Sequence, residues 1–339
     1  MVRRSVLQSL TRWLSRLGGR GLGIAFGGDS CRYAVSDHPD RLFQEPSLIV
    51  RCRSDGSIIL NETSIGDVAR DTLVCKNVDQ YEYKQIFADD AAADEYVVSR
   101  MLRYFRRRAA ERCSCSGPTR VVVTARPRLL QVIRPDFARI VGDAGFREGQ
   151  IVDERLCLAV AVAVGRAGVT LVVNIGHSAT RLYGWASGEF ATGATITDVS
   201  GARMAAATVD FVRGHELLRI SPVTARQLVR AIGSPKLWPH AVRGSDLITG
   251  YARAAQVHRE SMVAILEPRF ERIAGLCTEM LGELVGRAGP KVRIVLTGAA
   301  AAVGGLADYL AQALDETAEV AESPGEARVR GLTLAFMKE

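Results

Sequence analysis

Residues 22–35 read LGIAFGGDSCRYAV, which is an apolar run, two glycines and a second apolar run. Short apolar segments separated by a glycine turn predict a β-hairpin. Consecutive backbone N–H groups in such a turn form a concave site for anions, including phosphate. Loops of this kind usually carry a carboxylate just before the glycines, which manages the metal ion that travels with the phosphate. Ala25 holds that place here, so the hairpin is either a working phosphate loop or the shell of one.

The same pattern returns in residues 171–184, which read LVVNIGHSATRLYG. Residues 24–27 correspond to 173–176, and Arg32 corresponds to Arg181, always at an offset of 149 residues. A repeat of this kind predicts two related halves, each opening with a hairpin. Two such turns facing each other can hold the phosphates of a nucleotide from both sides.

Buried strands alternate with helices along the rest of the chain. TRVVVTARP, from Thr119, predicts a buried strand, and residues 291–314 predict a strand, a turn of small residues and a helix. This alternation is typical of lobes built on largely parallel sheets. The sequence therefore predicts an α/β fold with a third close-approach turn at residues 298–301.

Composition and charge exclude several classes of protein. The chain has 339 residues, of which 47% are hydrophobic, and contains no apolar run of about 18 residues that would cross a membrane. Its seven cysteines are scattered without a C-x-x-C pair, and Cys113 with Cys115 supplies too few ligands for zinc, so a reducing cytoplasm is expected. Five of the seven net positive charges lie in the first 20 residues, which leaves only +2 elsewhere. No nucleic-acid partner is expected.

The N-terminal segment, residues 1–20, predicts a basic amphipathic helix that ends at Gly18-Gly19. Such a helix suits an anionic membrane surface, where each guanidinium contributes about 1 kcal/mol. Packing on the chain's own body or on a partner is the alternative, and a secretory signal is disfavoured because polar residues interrupt the apolar region. The expected membrane contacts are Val6, Leu7, Leu10, Trp13, Leu14 and Leu17, with Arg3, Arg4, Arg12 and Arg16.

Taken together, these segments resemble MreB, the bacterial actin-like cytoskeletal family, from about Leu22 to the C-terminus. The stretches that carry the resemblance, in order, are FQEPSLIV, MLRYF, RVVVTARP, VDERLCLAVAVAVG, AIGSP, VRGSDLITGYAR and IVLTGAAAAVGGLADYL. The resemblance implies a two-lobed actin-like ATPase fold, a duplicated ribonuclease H-like α/β architecture with a nucleotide cleft between its lobes. It implies a first lobe at 21–150 with a small subdomain within 33–117, and a second lobe at 151–339 with a small subdomain at about 205–273.

The resemblance also implies a nucleotide site made by the two hairpin turns, a helix start and the third turn. The residues at matching positions are Gly27, Gly28, Asp29, Ser30, Gly176, His177, Ser178, Ala179, Thr180, Thr224, Gly298, Ala299, Ala300 and Ala301. His177 is either a phosphate contact or a solvated loop histidine.

Several departures from the family pattern weaken that site. Ala25 and Asn174 replace the two Asp residues of the family hairpins, an acidic stretch becomes residues 201–205, and both Glu residues of the adenosine motif are lost in residues 221–226. Because Mg²⁺ is held through such carboxylates and their waters, we expect ATP to bind weakly or in an altered mode and assign no metal ligand.

Glu154 lies where the family has the Glu that orients the attacking water, but Arg155 follows it where the family has Pro. It is either a catalytic residue of a weak ATPase or, with Asp153, a partner of the helix dipole.

Residues 103–112 carry five Arg and one Glu, which indicates a solvated helix face or a membrane or filament contact.

Three functions follow from these observations. The first is an MreB-like filament protein at the inner membrane surface, organising cell shape or wall synthesis through itself, another MreB or membrane morphogenesis proteins. The second is a membrane-tethered pseudo-ATPase scaffold that does not polymerise and binds another MreB or a membrane partner. The third, a sugar kinase of the same superfamily, is disfavoured because no residue is a clear candidate for deprotonating the sugar hydroxyl. The expected location is the cytoplasmic face of the cell membrane.

Overall fold

The computed structural model describes residues 20–54, 58–59, 65–66, 81–87, 95–114, 116–165, 167–232 and 238–337. The chain divides into two compact units. The first unit ends at Ala163 and resumes at Glu326, and the second spans Val164–Gly325. The predicted N-terminal membrane helix lies outside the described residues.

The first unit contains two sheets. Its strands are β1 (Gly21–Ala25), β2 (Ser30–Val35), β3 (His38–Pro46), β4 (Leu48–Cys52), β5 (Ile58–Ile59), β6 (Tyr81–Gln85), β7 (Arg120–Ala125) and β8 (Glu148–Asp153). Its helices are α1 (Glu95–Cys113), α2 (Pro127–Ile133), α3 (Phe137–Asp143), α4 (Glu154–Ala161) and α9 (Ala327–Met337). The larger sheet has the order β3-β2-β1-β7-β8, and the smaller has the order β5-β4-β6.

The second unit repeats this plan. Its strands are β9 (Val169–Ile175), β10 (Thr180–Ala186), β11 (Glu189–Ile196), β12 (Leu218–Arg219), β13 (His240–Asp246), β14 (Ala252–Val257), β15 (Val292–Thr297) and β16 (Ala318–Val320). Its helices are α5 (Gly201–Glu216), α6 (Pro222–Ala231), α7 (Arg259–Ala288) and α8 (Leu306–Leu314). The larger sheet has the order β11-β10-β9-β15-β16, and the smaller has the order β12-β13-β14.

Strand pairing confirms the internal repeat. In the first hairpin Ala25 lies opposite Arg32, and in the second Asn174 lies opposite Arg181, so the offset of 149 holds in the register itself. The first strand of each hairpin then pairs in parallel with a later strand, β1 with β7 and β9 with β15. Both units therefore have the same five-stranded topology.

The central strands are buried on both faces, which explains why continuous apolar runs in the sequence predict them. Every residue of β1, β7 and β9 is buried. Strands covered on both faces are continuous apolar runs rather than alternating ones, which is how LGIA, RVVVTA and VTLVVNI appear in the sequence. Each unit has its own large apolar core around these strands.

The last helix belongs to the first unit, which differs from the predicted division at residue 150. α9 packs on α4 so closely that a Cβ on Gly331 would lie 1.9 Å from the carbonyl oxygen of Cys157. Val329 of the same helix packs with Ala25 and Ala34 of the first hairpin. The first unit therefore includes α4 and α9, because β8 pairs with β7 and α4 is held by α9.

The two small sheets fall within the segments predicted for the small subdomains. β4 to β6 span Leu48 to Gln85, and β12 to β14 span Leu218 to Val257.

Within the described ranges, no helix combines the length and the apolar character needed to cross a bilayer.

Candidate functional site

The turn of the first hairpin is held by Ser47. The Ser47 hydroxyl donates to the carbonyl oxygen of Gly27 at 2.6 Å, and the Ser47 backbone N–H donates to that of Asp29 at 3.0 Å. A Cβ on Gly27 would lie 2.4 Å from the carbonyl oxygen of Ser30. No real side chain allows such a contact, so the turn itself requires this glycine whether or not a ligand binds.

Cys31 lies against the same turn. Its thiol is 3.2 Å from the Ser47 hydroxyl. Burial raises the pKa of Cys31 to about 11, although hydrogen bonds with Ser47 and the Gly27 backbone act in the opposite direction. Part of the polar surface of the turn is thus satisfied within the unit, and Gly27, Gly28 and Asp29 are all half-buried.

Glu154, the candidate catalytic residue, is fully buried at the start of α4. Nη1 of Arg328 lies 3.4 Å from its Oε2 and also donates to the carbonyl oxygen of Phe26 at 2.9 Å. Asp153 caps α4 by accepting from the backbone N–H of Arg155 at 2.9 Å. A buried, ion-paired carboxylate is poorly placed to orient an attacking water, so this environment favours the dipole-partner interpretation; the catalytic role stays a prediction.

A second arginine accompanies Arg328. Burial lowers the pKa of Arg32, and the nearby Arg328 charge lowers it further, while Glu326 and Asp29 oppose the shift. Arg32 lies opposite Ala25 in the hairpin. The guanidinium groups of Arg32 and Arg328 therefore lie near position 25, where family members have a carboxylate and this chain has Ala25.

The turn of the second hairpin has the same backbone contact as the first. A Cβ on Gly176 would lie 3.0 Å from the carbonyl oxygen of Ala179, three residues on, and the Gly176 N–H donates to that oxygen at 2.9 Å. The start of α5 closes the other side. Gly201 N–H donates to the Gly176 carbonyl and Ala202 N–H to that of His177, each at 2.9 Å.

The third turn packs against the second. Gly298 has φ +95°, and a Cβ there would lie 2.3 Å from the carbonyl oxygen of Ile175 and 2.7 Å from Oδ1 of Asn174. Ala300 N–H donates to the Ile175 carbonyl at 3.1 Å. The predicted residues 176–180 and 298–301 thus come together within the second unit.

Three hydroxyls of the second unit are buried without a hydrogen-bond partner in the described part of the chain, those of Ser178, Thr180 and Thr297. Thr297 pairs in register with Asn174 at the end of the central strands. Buried hydroxyls are normally satisfied, so these atoms suit a polar ligand at the second turn. Thr224 is different, because its N–H and hydroxyl are bonded to Ser221, the cap of α6.

Mg²⁺ does not fit the first turn. Ala25 is buried against Val329, and the nearby carboxylate of Glu154 is occupied by Arg328. In the portion of the chain that the structure describes, no group of three His, Cys, Asp or Glu side chains is arranged to hold a metal ion.

The Arg-rich helix has a role that neither sequence interpretation anticipated. Arg108 and Arg112 of α1 reach the fully buried carboxylate of Glu45 at 3.2 and 2.6 Å, and the Tyr104 hydroxyl donates to it at 2.9 Å. These arginines hold the end of β3, just before the small sheet begins, to α1. The buried Glu in FQEPSLIV, followed by an arginine-rich helix, was the available signal.

These features define a class of protein. Two repeated sheets, each with a glycine turn after its central strand, make up the actin-like fold. MreB5 of Spiroplasma citri bound to ADP has this fold, with a TM-score of 0.76 at 19% identity over 94% of this chain and 96% of that one. The MamK double helical filament matches with a TM-score of 0.70 at 14% identity, covering 93% and 98%.

The sequence comparisons specify the family. The family model for MreB/Mbl protein matches residues 21–339, so the chain belongs to the MreB/Mbl family. The cell shape-determining protein Mbl of Bacillus subtilis is 20% identical over 299 residues, covering 84% of this chain and 86% of the relative. The cell shape-determining protein MreB of Escherichia coli K12 is 25% identical over 256 residues, covering 72% of each.

Proposed function

We propose that this chain is a filament-forming cytoskeletal protein that acts in cell shape or wall organisation at the inner face of the cell membrane. The family match over residues 21–339 carries the proposal. Relatives that cover 84% and 72% of this chain are named for determining cell shape, and MamK, a structural neighbour, is described as a double helical filament.

The nucleotide site in this proposal is degenerate. The neighbour MreB5 is described with ADP and with AMPPNP, and the unpartnered hydroxyls of Ser178, Thr180 and Thr297 leave room for a polar ligand here. The predicted contacts are the residues of the three turns. Ala25 and the paired Glu154 support weak ATP binding and at most slow hydrolysis.

The membrane contact is assigned to residues 1–20, with their apolar stripe and arginines. Anionic lipid is the expected partner because guanidinium groups are attracted to its surface. Another copy of the chain, another MreB or a membrane morphogenesis protein would be the protein partner.

Co-sedimentation with phosphatidylglycerol-containing vesicles tests the proposal. The full chain should pellet with the vesicles and form filaments on them, as seen by electron microscopy. A variant lacking residues 1–19 should lose vesicle binding. A matched control would keep the apolar stripe and replace Arg3, Arg4, Arg12 and Arg16 by Gln, which should weaken binding only to anionic vesicles. Binding that survives the deletion would contradict the membrane assignment.

A non-polymerising membrane-tethered scaffold is the second candidate. The Arg328–Glu154 pair favours it, because a first turn whose charges are satisfied internally has less need of a nucleotide cycle. Vesicle binding without filaments under any nucleotide condition would select this candidate over the first.

A further inference from the structure

The charged groups around α4 and α9 pair off inside the first unit. The pairs are Arg328 with Glu154, Arg155 with Asp153, and Arg330 with Glu326. Only the first has a fully buried carboxylate, since the side chains of Asp153 and Glu326 are 30% and 35% exposed. A buried carboxylate needs a cation close by, and Arg328 is the cation bonded to it here.

The helix that brings Arg328 also removes the space for a metal-binding carboxylate. Val329, the next residue, is fully buried against Ala25 and Ala34. Gly331 lets the backbone of α9 press against Cys157. An alanine at position 25 and an arginine at position 328 are thus parts of one packing arrangement.

We propose that the guanidinium of Arg328 is an internal cation that takes the place of a metal ion at the first turn, and that phosphate binds there as the metal-free anion. The nucleotide part of this inference rests on the proposed function, whereas the cation replacement rests on the first unit alone.

The position of the Arg328 guanidinium beside Gly27 supports phosphate binding at the first turn. Nη1 of Arg328 is used by Phe26 and Glu154, while Nη2 lies near Gly27, 3.2 Å from where its Cβ would be. The Arg328 side chain is 19% exposed, so its free donors are within reach of solvent. Arg32 adds a second guanidinium nearby. An arginine can donate two parallel hydrogen bonds to a phosphate group. Ala25 places no carboxylate at position 25 that would repel a metal-free phosphate.

The cation replacement is tested by removing Arg328 and asking whether an added metal ion restores the lost stability. Arg328→Ala removes the cation that is bonded to the buried Glu154, which should lower the melting temperature in EDTA by roughly 10 °C. Millimolar Mn²⁺ should restore at least half of that loss and leave the wild type unchanged. Arg330→Ala, which removes an exposed cation two residues further along α9, should show no Mn²⁺ response, and neither should Glu154→Gln/Arg328→Ala. Failure of Mn²⁺ to stabilise Arg328→Ala, or an equal effect on the wild type, would overturn the proposal.

If Arg328→Ala does not fold, Glu154→Gln tests instead whether the guanidinium of Arg328 binds an anion. Glu154→Gln keeps the shape of the side chain and frees Arg328 from its anion. Tripolyphosphate in EDTA should then raise the melting temperature of Glu154→Gln more than that of the wild type. Glu154→Gln/Arg328→Gln should lose the gain. No gain in the single variant, or a gain kept in the double variant, would overturn the anion assignment.

These outcomes are separate from those of the proposed function. A chain that forms no filaments and binds no vesicles can still show Mn²⁺ rescue. Conversely, a filament-forming chain without rescue would refute the cation replacement alone.

Discussion

Nη1 of Arg328 lies 3.4 Å from Oε2 of Glu154, a carboxylate with no exposed surface. The two residues are 174 positions apart in the chain, yet both belong to the first unit. The pair joins the last helix, α9, to α4 beside the first glycine turn. It also gives the one carboxylate that resembled a catalytic residue a structural partner.

Removing Arg328 should destabilise the protein strongly. Arg328→Ala removes a cation bonded to the fully buried Glu154, for which we expect a loss of about 3–5 kcal/mol in the free energy of unfolding. Urea denaturation followed by circular dichroism measures it. Arg330→Ala is the matched control, because its pair with Glu326 is exposed and should contribute less than about 1 kcal/mol. Equal losses in the two variants would contradict a special role for Arg328.

Glu45 should be a second buried charge on which stability depends. Glu45→Gln removes the charge that Arg108 and Arg112 share and should cost about 2 kcal/mol. Glu111→Gln is the control, since Glu111 contacts the same helix face but is 48% exposed. The urea midpoints of the two variants should differ clearly. A Glu45→Gln midpoint equal to that of the wild type would show that the cluster contributes nothing.

The two turn glycines should respond unequally to a methyl group. Gly27→Ala would place Cβ 2.4 Å from the Ser30 carbonyl oxygen, whereas Gly176→Ala would place it 3.0 Å from that of Ala179. The first substitution should therefore be the more destabilising. Gly282→Ala on α7 meets no atom within 4 Å and should stabilise by about 0.5–1 kcal/mol through helix propensity. Thermal melts compare the three, and a larger loss in Gly176→Ala than in Gly27→Ala would contradict the geometry.

Buried thiols should be protected from reagents at pH 8. Burial raises the pKa of Cys31 to about 11 and the pKa values of Cys157 and Cys277 to about 12. Because these folded pKa values exceed the ordinary value of 9.0, the associated stability is present below pH 9 and is lost as pH rises through 11 to 12. A thiol reagent with peptide mapping should label Cys52 and Cys113 first and these three only after unfolding. Early labelling of Cys157 would show that α9 leaves α4 readily.

The fold was predictable where local pattern sufficed. β1 and β9 are largely apolar strands followed by a glycine turn, and their offset of 149 residues survives in the register of Ala25 with Arg32 and Asn174 with Arg181. Central strands buried on both faces produce such patterns without help from distant residues.

The site was predictable only in part. The contact between Arg328 and Glu154 depends on where α9 packs, and nothing local to either residue encodes it. The same holds for Glu45, whose arginine partners lie 63 and 67 positions away on α1. The return of the last helix to the first unit is likewise a long-range event that no local pattern encodes.

We propose that this chain keeps the actin-like fold of the MreB/Mbl family while its nucleotide site no longer depends on a metal. Calorimetric titration of the full chain with ATP, once with Mg²⁺ and once with EDTA, tests this most directly. The expected result is binding weaker than micromolar whose affinity Mg²⁺ does not increase. Micromolar or tighter binding that requires Mg²⁺ would contradict the account.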